Sequence, residues 1–224
     1  MAVAFVQDWT AVIDAATPAT ISGTALTAGN WAVAVTRSAN TATITPPSPF
    51  TSVLSKIQSG VKVEVFVGLA VGGETSFDFG YDAGASASVS LTEFTNILAA
   101  SPVDVSASAG ANGVTSQVTG TTGTTAQADS MAVACIAWAA TVTSPSCATG
   151  FTLGSYSASA MSGIAYKVLS ATGTQNGTWS WTTARDTAAA IIVLKGLVPS
   201  GHPTAARCNQ HPYSWGRKPN RSYR

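Results

Sequence analysis

The chain has 224 residues, enough for one large all-β domain or two small domains. Only 9% of them are Asp, Glu, Lys or Arg, well below the roughly 25% of an ordinary soluble domain, so we predict a hydroxyl-rich, weakly charged surface that suits packing against neighbours. The longest apolar run, Met131 to Val142, is too short to span a bilayer. No basic residue precedes Arg37, and we therefore expect no signal peptide.

Strand patterns dominate the first half of the chain. The segments NWAVAV and VKVEVFV alternate apolar residues, and Lys62 and Glu64 lie on the outer face of the second. Gly72-Gly73 then predicts a tight turn into TSFDFGY, whose three aromatic residues share one face. We therefore predict a β-hairpin at this point and a further strand in SASVSLTEF.

The second half repeats this plan about one hundred residues later. Strand patterns recur in MAVACIAW, SGIAYKVLS and DTAAAIIVLKG, and Asn176-Gly177 predicts a second hairpin turn. In TWSWTT, Trp179 and Trp181 take the places of Phe77 and Phe79. The low-complexity segment 106–129 links the halves, and GVTSQV within it favours an extended strand.

These repeats predict an all-β fold without a long helix. Each copy has four or five strands, and the inward face of such a sheet needs a partner sheet. We therefore predict a single jelly-roll-like β-sandwich over residues 1–198, built from two similar halves at about 26–100 and 126–198. Residues 199–224 form an extended C-terminal arm in this scheme.

Charge divides sharply between the body and the arm. Residues 1–206 hold six basic and all ten acidic residues, a net charge of −4, whereas residues 207–224 hold five basic residues and no acid. Three aromatic residues lie among those cations. A solvated tail, an arm across an acidic neighbouring subunit and a nucleic-acid contact all fit this pattern. We take the second as the working hypothesis, with these contact residues: Arg207, Tyr213, Trp215, Arg217, Lys218, Arg221, Tyr223 and Arg224.

Catalytic and metal-binding patterns are weak. The two histidines, His202 and His211, both lie in the arm, which leaves the body without a Ser-His-Asp or Cys-His arrangement. Cys208 and His211 supply half a zinc site at most. Phosphate-loop and calcium-loop motifs are absent from the sequence. We expect no catalytic residue, no bound metal and no cofactor.

The cysteines do not form a disulfide framework. Cys135 falls within a strand pattern and reads as a small core residue, and Cys147 lies in a loop-like stretch. A bridge between these two is conceivable, and the sequence leaves it open.

Carboxylates and tryptophans are the remaining candidates. A glycosidase needs two carboxylates in one cleft, and Asp78 could pair with Asp82 or with Glu64. We favour solvated carboxylates on the outside of a sheet. A sugar-stacking platform is the alternative to core packing for four tryptophans, and we favour core packing; the residues are Trp31, Trp138, Trp179 and Trp181.

Five segments together resemble a known family: LTAGNWAVAV, TITPPSPFT, SPVDVSASA, TTAQADSMAVACIAW and TWSWTTARDTAAAIIVLKG. They are similar to phage-encoded β-sandwich proteins, usually called minor tail or virion structural proteins and common in phages of actinobacteria. The matching positions are Gly29-Asn30, Pro46 to Thr51, Pro102 to Val105 and Ile191 to Gly196. The resemblance covers residues 3–198, and the first loop lacks the glycine usual in the family. No catalytic residue carries over.

The resemblance implies a non-enzymatic component of a bacteriophage virion, at the tail or its tip. Its expected partners are other virion proteins and further copies of itself. We expect synthesis in the host bacterial cytoplasm and no membrane or nucleic-acid partner. A head-decoration protein is one alternative, and a carbohydrate-binding module that contacts a host surface glycan is another. A glycosidase that depends on Asp78 is the enzymatic alternative.

Overall fold

A computed structural model describes residues 1–14, 17–39, 41–82, 86–148 and 150–197. These residues form fourteen strands and no helix. The strands are β1 (Ala4–Asp14), β2 (Ala19–Ser22), β3 (Trp31–Ala39), β4 (Ile44–Thr45), β5 (Thr51–Gln58), β6 (Val61–Leu69), β7 (Ser76–Tyr81), β8 (Ala87–Thr95), β9 (Val103–Val118), β10 (Ser130–Trp138), β11 (Ser146–Cys147), β12 (Thr152–Ser157), β13 (Ser162–Leu169) and β14 (Thr178–Leu194).

Two large sheets face each other, which confirms the predicted all-β sandwich. The first sheet has the order β1-β8-β3-β6-β5, and the second has β14-β10-β13-β12, with β9 and the short β11 both paired to β14. Alternate residues of the central strands point between the sheets and form the main core. Val33 and Val65 of the first sheet contribute to it, together with Val133 and Ile192 of the second.

The two sheets share one strand order. With β9 at its edge, the second sheet is β9-β14-β10-β13-β12, which repeats the first sheet strand for strand. The sheets are drawn from residues 4–95 and 103–194 respectively, and β1 packs beside β12 while β5 packs beside β9. The edge strands β1 and β9 begin ahead of the ranges 26–100 and 126–198 in which the sequence repeats.

A third layer covers the outer face of the first sheet. The small sheet β2-β7-β4 places Phe77 and Phe79 against Phe66 and the small residues of β3. The hairpin predicted at Gly72-Gly73 is therefore wrong, because β6 pairs with β3 and β5, whereas β7 pairs with β2 and β4. Residues 72 and 73 have φ of 103° and 91°, and they turn the chain out of the first sheet into this layer. The two-residue turn between paired strands lies instead at Ser59-Gly60, which joins β5 to β6.

A ladder of threonines covers the outer face of the second sheet. Three buried threonines each bind the segment 173–177 twice, through the backbone N–H and through the side-chain oxygen. The N–H groups of Thr119, Thr122 and Thr125 donate to the carbonyls of Gly177, Gln175 and Gly173 at 2.9, 2.9 and 3.1 Å. Each Oγ1 accepts the N–H of the same partner residue at 2.9, 2.9 and 3.1 Å. We name these contacts the threonine ladder.

The threonine ladder corrects two expectations. The hairpin predicted at Asn176-Gly177 is wrong, because β13 and β14 are not neighbours and the segment between them pairs with 119–125. The segment 106–129, which the sequence predicted to be a linker, also has a regular structure. Its first part belongs to β9, which extends the strand predicted at GVTSQV, and its second part forms one side of the ladder.

Candidate functional site

The predicted arm contacts lie outside the described residues. These are Arg207, Tyr213, Trp215, Arg217, Lys218, Arg221, Tyr223 and Arg224, and the same holds for His202, Cys208 and His211. The body that would carry the arm ends at Leu197, whose N–H donates to the carbonyl of Asn96 at 2.8 Å.

The candidate carboxylates are held separately. Asp78 on β7 accepts the Thr20 hydroxyl at 2.7 Å, and Asp82 accepts the Thr43 N–H at 2.8 Å. Glu64 on β6 lies 2.6 Å from the Lys62 ammonium, in a different sheet from Asp78. Asp78 is exposed on the small sheet, as the solvated interpretation predicted. The pairing of Asp78 with Glu64 on neighbouring strands is wrong, because β6 and β7 do not pair.

The four tryptophans are core residues, as predicted. Trp31 is 8% exposed, and the other three form a cluster that is at most 5% exposed. The ring of Trp138 meets those of Trp179 and Trp181 edge-on, with centroid distances of 5.9 and 5.8 Å. Buried rings cannot receive a sugar face, so these four residues do not form a binding platform.

Both described cysteines are free thiols. Cys135 lies fully buried in the main core, and burial raises its pKa far above the ordinary range. Burial also raises the pKa of Cys147, to about 11. Thiolates are the nucleophilic and metal-binding form of cysteine, so neither residue is prepared for such chemistry.

Sequence reasoning missed a polar contact between the two sheets at Ser155. The Ser155 hydroxyl donates to the Trp9 carbonyl at 2.6 Å and accepts the Leu91 N–H at 3.2 Å. These two backbone groups lie where an irregularity interrupts the pairing of β1 with β8. A side chain of the opposite sheet thus binds two backbone groups of the first sheet at this irregularity. Ser155 is one of two serines in TLGSYS, and nothing in that segment predicts this role.

Asp8 lies beside this contact, between β1 and the second sheet. Its carboxylate accepts the Thr92 hydroxyl at 2.6 Å. Burial raises the pKa of Asp8, and hydrogen bonds from Thr92 and the Ser155 backbone oppose that effect. The Tyr166 phenol, whose pKa is also raised by burial and by the Asp8 charge, is the titratable group opposite it on β13.

Two further charged residues, Arg37 and Glu93, connect the layers, and their hydrogen-bond partners among the described residues are all uncharged. Arg37 of β3 reaches the end of β10, where its Nε and Nη2 donate to the carbonyls of Trp138 and Ala139 at 3.2 and 3.0 Å. Glu93 of β8 is fully buried, and its Oε1 accepts the Thr27 N–H at 2.9 Å and the Asn30 amide at 2.6 Å. Both groups therefore act as structural hydrogen-bonding centres.

A stacked pair of partly exposed aromatic rings lies at one corner of the sandwich. Phe5 of β1 and Tyr166 of β13 stack with parallel rings 4.9 Å apart, and Phe5 is 37% exposed. Val168, two residues along the same face of β13, is 47% exposed. We name Phe5, Tyr166 and Val168 the open corner. It is the candidate contact surface of the described body.

Within the described ranges, no group of three or more His, Cys, Asp or Glu side chains could hold a metal ion. The same residues include no helix with the length and hydropathy that a membrane crossing requires. No protein-family model, no curated protein and no solved structure matches this chain.

Proposed function

We propose that the protein is a non-enzymatic structural component of a bacteriophage virion, a minor tail or tail-tip protein. It assembles through the sandwich surface and through residues 207–224. The observation that carries the proposal is the division of charge, −4 over residues 1–206 against +5 over residues 207–224. A cationic segment with three aromatic residues is suited to bind the weakly acidic body of a neighbouring subunit.

The weakly charged surface supports the same function. A subunit that packs on several neighbours buries much of its exterior, and each unpaired charge buried there costs free energy. Hydroxyl groups adapt as donors or acceptors and avoid that cost. The resemblance to phage virion proteins over residues 3–198 points in this direction as well.

The carboxylates give the enzymatic alternative little support. A glycosidase holds its two carboxyl groups within roughly 5–10 Å on either side of the substrate. Here Asp78 and Glu64 belong to different sheets, and each is engaged with a neighbouring hydroxyl or ammonium group. A structural protein does not require two carboxylates in one cleft.

Localisation on purified particles tests the proposal directly. Electron cryomicroscopy, or gold-labelled antibody against the sandwich, should place the protein at the tail or its tip. Signal over the head would instead identify a head-decoration protein. Absence from every particle would overturn the structural function, and a glycan-binding screen and a glycosidase assay of the Asp78→Asn variant would then be the next measurements.

A further inference from the structure

Among the described residues, no strand pairs with the C-terminal end of β13 on the side of β12. Strand β12 pairs with β13 only as far as Thr152, which lies opposite Tyr166. Residues 167–169 continue β13 and pair with β10 on their other side. The backbone groups that face the missing neighbour can accept an extended segment, as exposed sheet edges do in peptide recognition.

The chain preceding β12 explains why this edge is vacant. Phe151 packs on the outer face of the second sheet, against the cluster that contains Ala132 and Leu169. Its N–H donates to the carbonyl of Ala148 at 3.0 Å, which turns the chain away from β13. A pocket of about 400 Å³, lined by residues 167–175, lies along the vacant edge.

The open corner lies on the inward side of this edge. Tyr166 and Val168 alternate with Lys167, which points to the opposite face, where its ammonium lies 5.9 Å from the centre of the Phe151 ring. A segment added beside β13 in line with β12 would therefore cover Val168 and the stacked rings of Phe5 and Tyr166. It would meet an apolar surface, with Lys167 on the far side.

The described chain ends close to this surface. Met131 pairs with Val168 on one side and with Leu194 on the other. Leu194 and Val168 are thus two strand spacings apart, roughly 10 Å. Leu197 follows three residues later and pairs with Asn96, whose side chain binds the Ala2 carbonyl at 2.8 Å.

The residues that follow Leu197 are long enough to cover that distance. Tyr213 comes sixteen residues after Leu197, and a linker of that length has a root-mean-square span of roughly 22 Å when it behaves as a random coil. A segment tethered so close has an effective concentration in the millimolar range, which favours binding within one chain over binding between chains.

We propose that the open corner binds the arm of the same chain, with Tyr213 and Trp215 packed on Phe5 and Tyr166. Aromatic residues contribute large apolar contacts at a small cost in side-chain entropy, and guanidinium groups stack on exposed ring faces. The arm adds a strand beside residues 167–169. This inference concerns the free protein and does not depend on a virion location.

The test uses the full-length protein and the fluorescence of Trp215. The other five tryptophans lie in the body and are at most 8% exposed, so subtraction of the spectrum of a Trp215→Phe variant isolates the sixth. We expect the Trp215 component to resist acrylamide quenching in the wild-type protein. It should become several-fold easier to quench in Val168→Asp, which places a charge in the open corner.

A matched variant controls for a new surface charge. Ile57→Asp replaces another β-branched aliphatic side chain of similar exposure, 50% against 47%, on β5 at the edge of the first sheet opposite β1, and it should leave the Trp215 component unchanged. Hydrogen exchange gives a second readout. The amides of residues 167–169 should exchange more slowly in wild type and Ile57→Asp than in Val168→Asp.

Two results would overturn the proposal. The first is a Trp215 component in the wild-type protein that is as accessible as free N-acetyltryptophanamide. The second is protection that disappears on dilution together with a fall in molar mass, since the occupant would then be the arm of a second copy. Protection that is independent of concentration and sensitive to Val168→Asp supports binding within one chain.

Discussion

Single polar side chains complete the backbone hydrogen bonding of this sandwich. A buried N–H or carbonyl without a partner costs more than an ordinary hydrogen bond contributes. Ser155 serves one such pair of groups across the two sheets, and Arg37 serves another pair at the end of β10. At each of these two places a single side chain makes the contacts, so one substitution can measure their contribution to stability.

Ser155→Ala should destabilise the protein strongly for so small a change. The substitution leaves the Trp9 carbonyl and the Leu91 N–H without the hydroxyl that now binds both. We expect the free energy of unfolding to fall by about 2–4 kcal/mol, measured by urea denaturation. Ser159→Ala, at an exposed position of the following turn, is the control and should change stability little. Equal effects of the two substitutions would contradict the bridging role of Ser155.

Asp8→Asn should stabilise the protein at neutral pH and not at low pH. Because burial raises the folded-state pKa of Asp8, the neutral form is the one that folding favours. The stability that protonated Asp8 contributes is fully present below the unfolded-state pKa, about 3.9. It is lost as pH rises through the higher folded-state pKa. Asparagine stays neutral and can still accept the Thr92 hydroxyl. The melting temperature of the variant should therefore exceed that of wild type at pH 7.

The pH dependence separates this effect from a general loss of negative charge. The difference in melting temperature between Asp8→Asn and wild type should shrink towards zero as pH falls below about 4. Asp78→Asn removes one charge from the exposed surface of the small sheet. Two results would contradict the role of burial. One is an equal rise in melting temperature for Asp78→Asn at pH 7, and the other is a rise for Asp8→Asn that persists at pH 3.

Among the strands and loops, the threonine ladder shows how a low-complexity segment acquires a fixed structure. Its buried threonines recur every third residue, whereas their partners on segment 173–177 recur every second residue. The extra residue on the threonine side bulges outward, and Gly120, with φ of 87°, permits one of these bulges. The ladder also explains why residue 177 is a glycine. A side chain at Gly177 would lie 2.8 Å from the Ala134 methyl, so backbone and sheet are in direct contact.

Thr122→Val should weaken the ladder at its centre. Valine keeps the shape of the side chain and removes the oxygen that accepts the Gln175 N–H at 2.9 Å. We expect a loss of about 1–2 kcal/mol in the free energy of unfolding and faster hydrogen exchange at Gln175. Thr121→Val, at the exposed neighbouring position, is the matched control. Unchanged exchange at Gln175 in the first variant would show that the side-chain contact is dispensable.

The sequence predicted the strands far better than their partners. Alternation of apolar residues is local, so the inward faces of β3 and β6 and the sandwich itself follow from it. Gly72-Gly73 marks a change of chain direction, but a turn signal does not state which strands become neighbours. Asn176-Gly177 marks no turn, because residues 173–177 run on into β14 beside residues 118–125. The sequence did not predict the third layer. Ala32 and Ala34 allow it to approach β3 closely, but small residues in a strand pattern do not indicate a buried face.

The candidate surface was less predictable for a related reason. Phe5 and Val168 are 163 positions apart. Phe5 reaches this corner by stacking on Tyr166, and Val168 is exposed there because β12 begins only at Thr152, opposite Tyr166. No local pattern announces where a strand ends relative to its neighbour. Ser155 and Asp8 acquire their roles in the same way, through contacts between sheets that come from opposite halves of the chain.

At the scale of the whole molecule, assembly and folding are separable. The fourteen strands of the described residues lie between Ala4 and Leu194, so removal of residues 207–224 leaves each of them in place. We expect the truncated protein to keep the circular dichroism of a folded sandwich and to unfold in a cooperative transition in urea. Its incorporation into particles should fall, because the five cations proposed to bind a neighbouring subunit are gone.

Salt should reveal the electrostatic part of that contact. Exposed charges are screened over about 10 Å at 0.1 M salt, so rising salt should lower incorporation of the full-length protein towards the level of the truncated one. A variant with Arg217, Lys218, Arg221 and Arg224 replaced by glutamine keeps the aromatic residues and separates their contribution from the charge. If the truncated protein enters particles as well as the full-length protein at low salt, residues 207–224 do not hold the subunit in place. The contact must then be made by the sandwich surface alone.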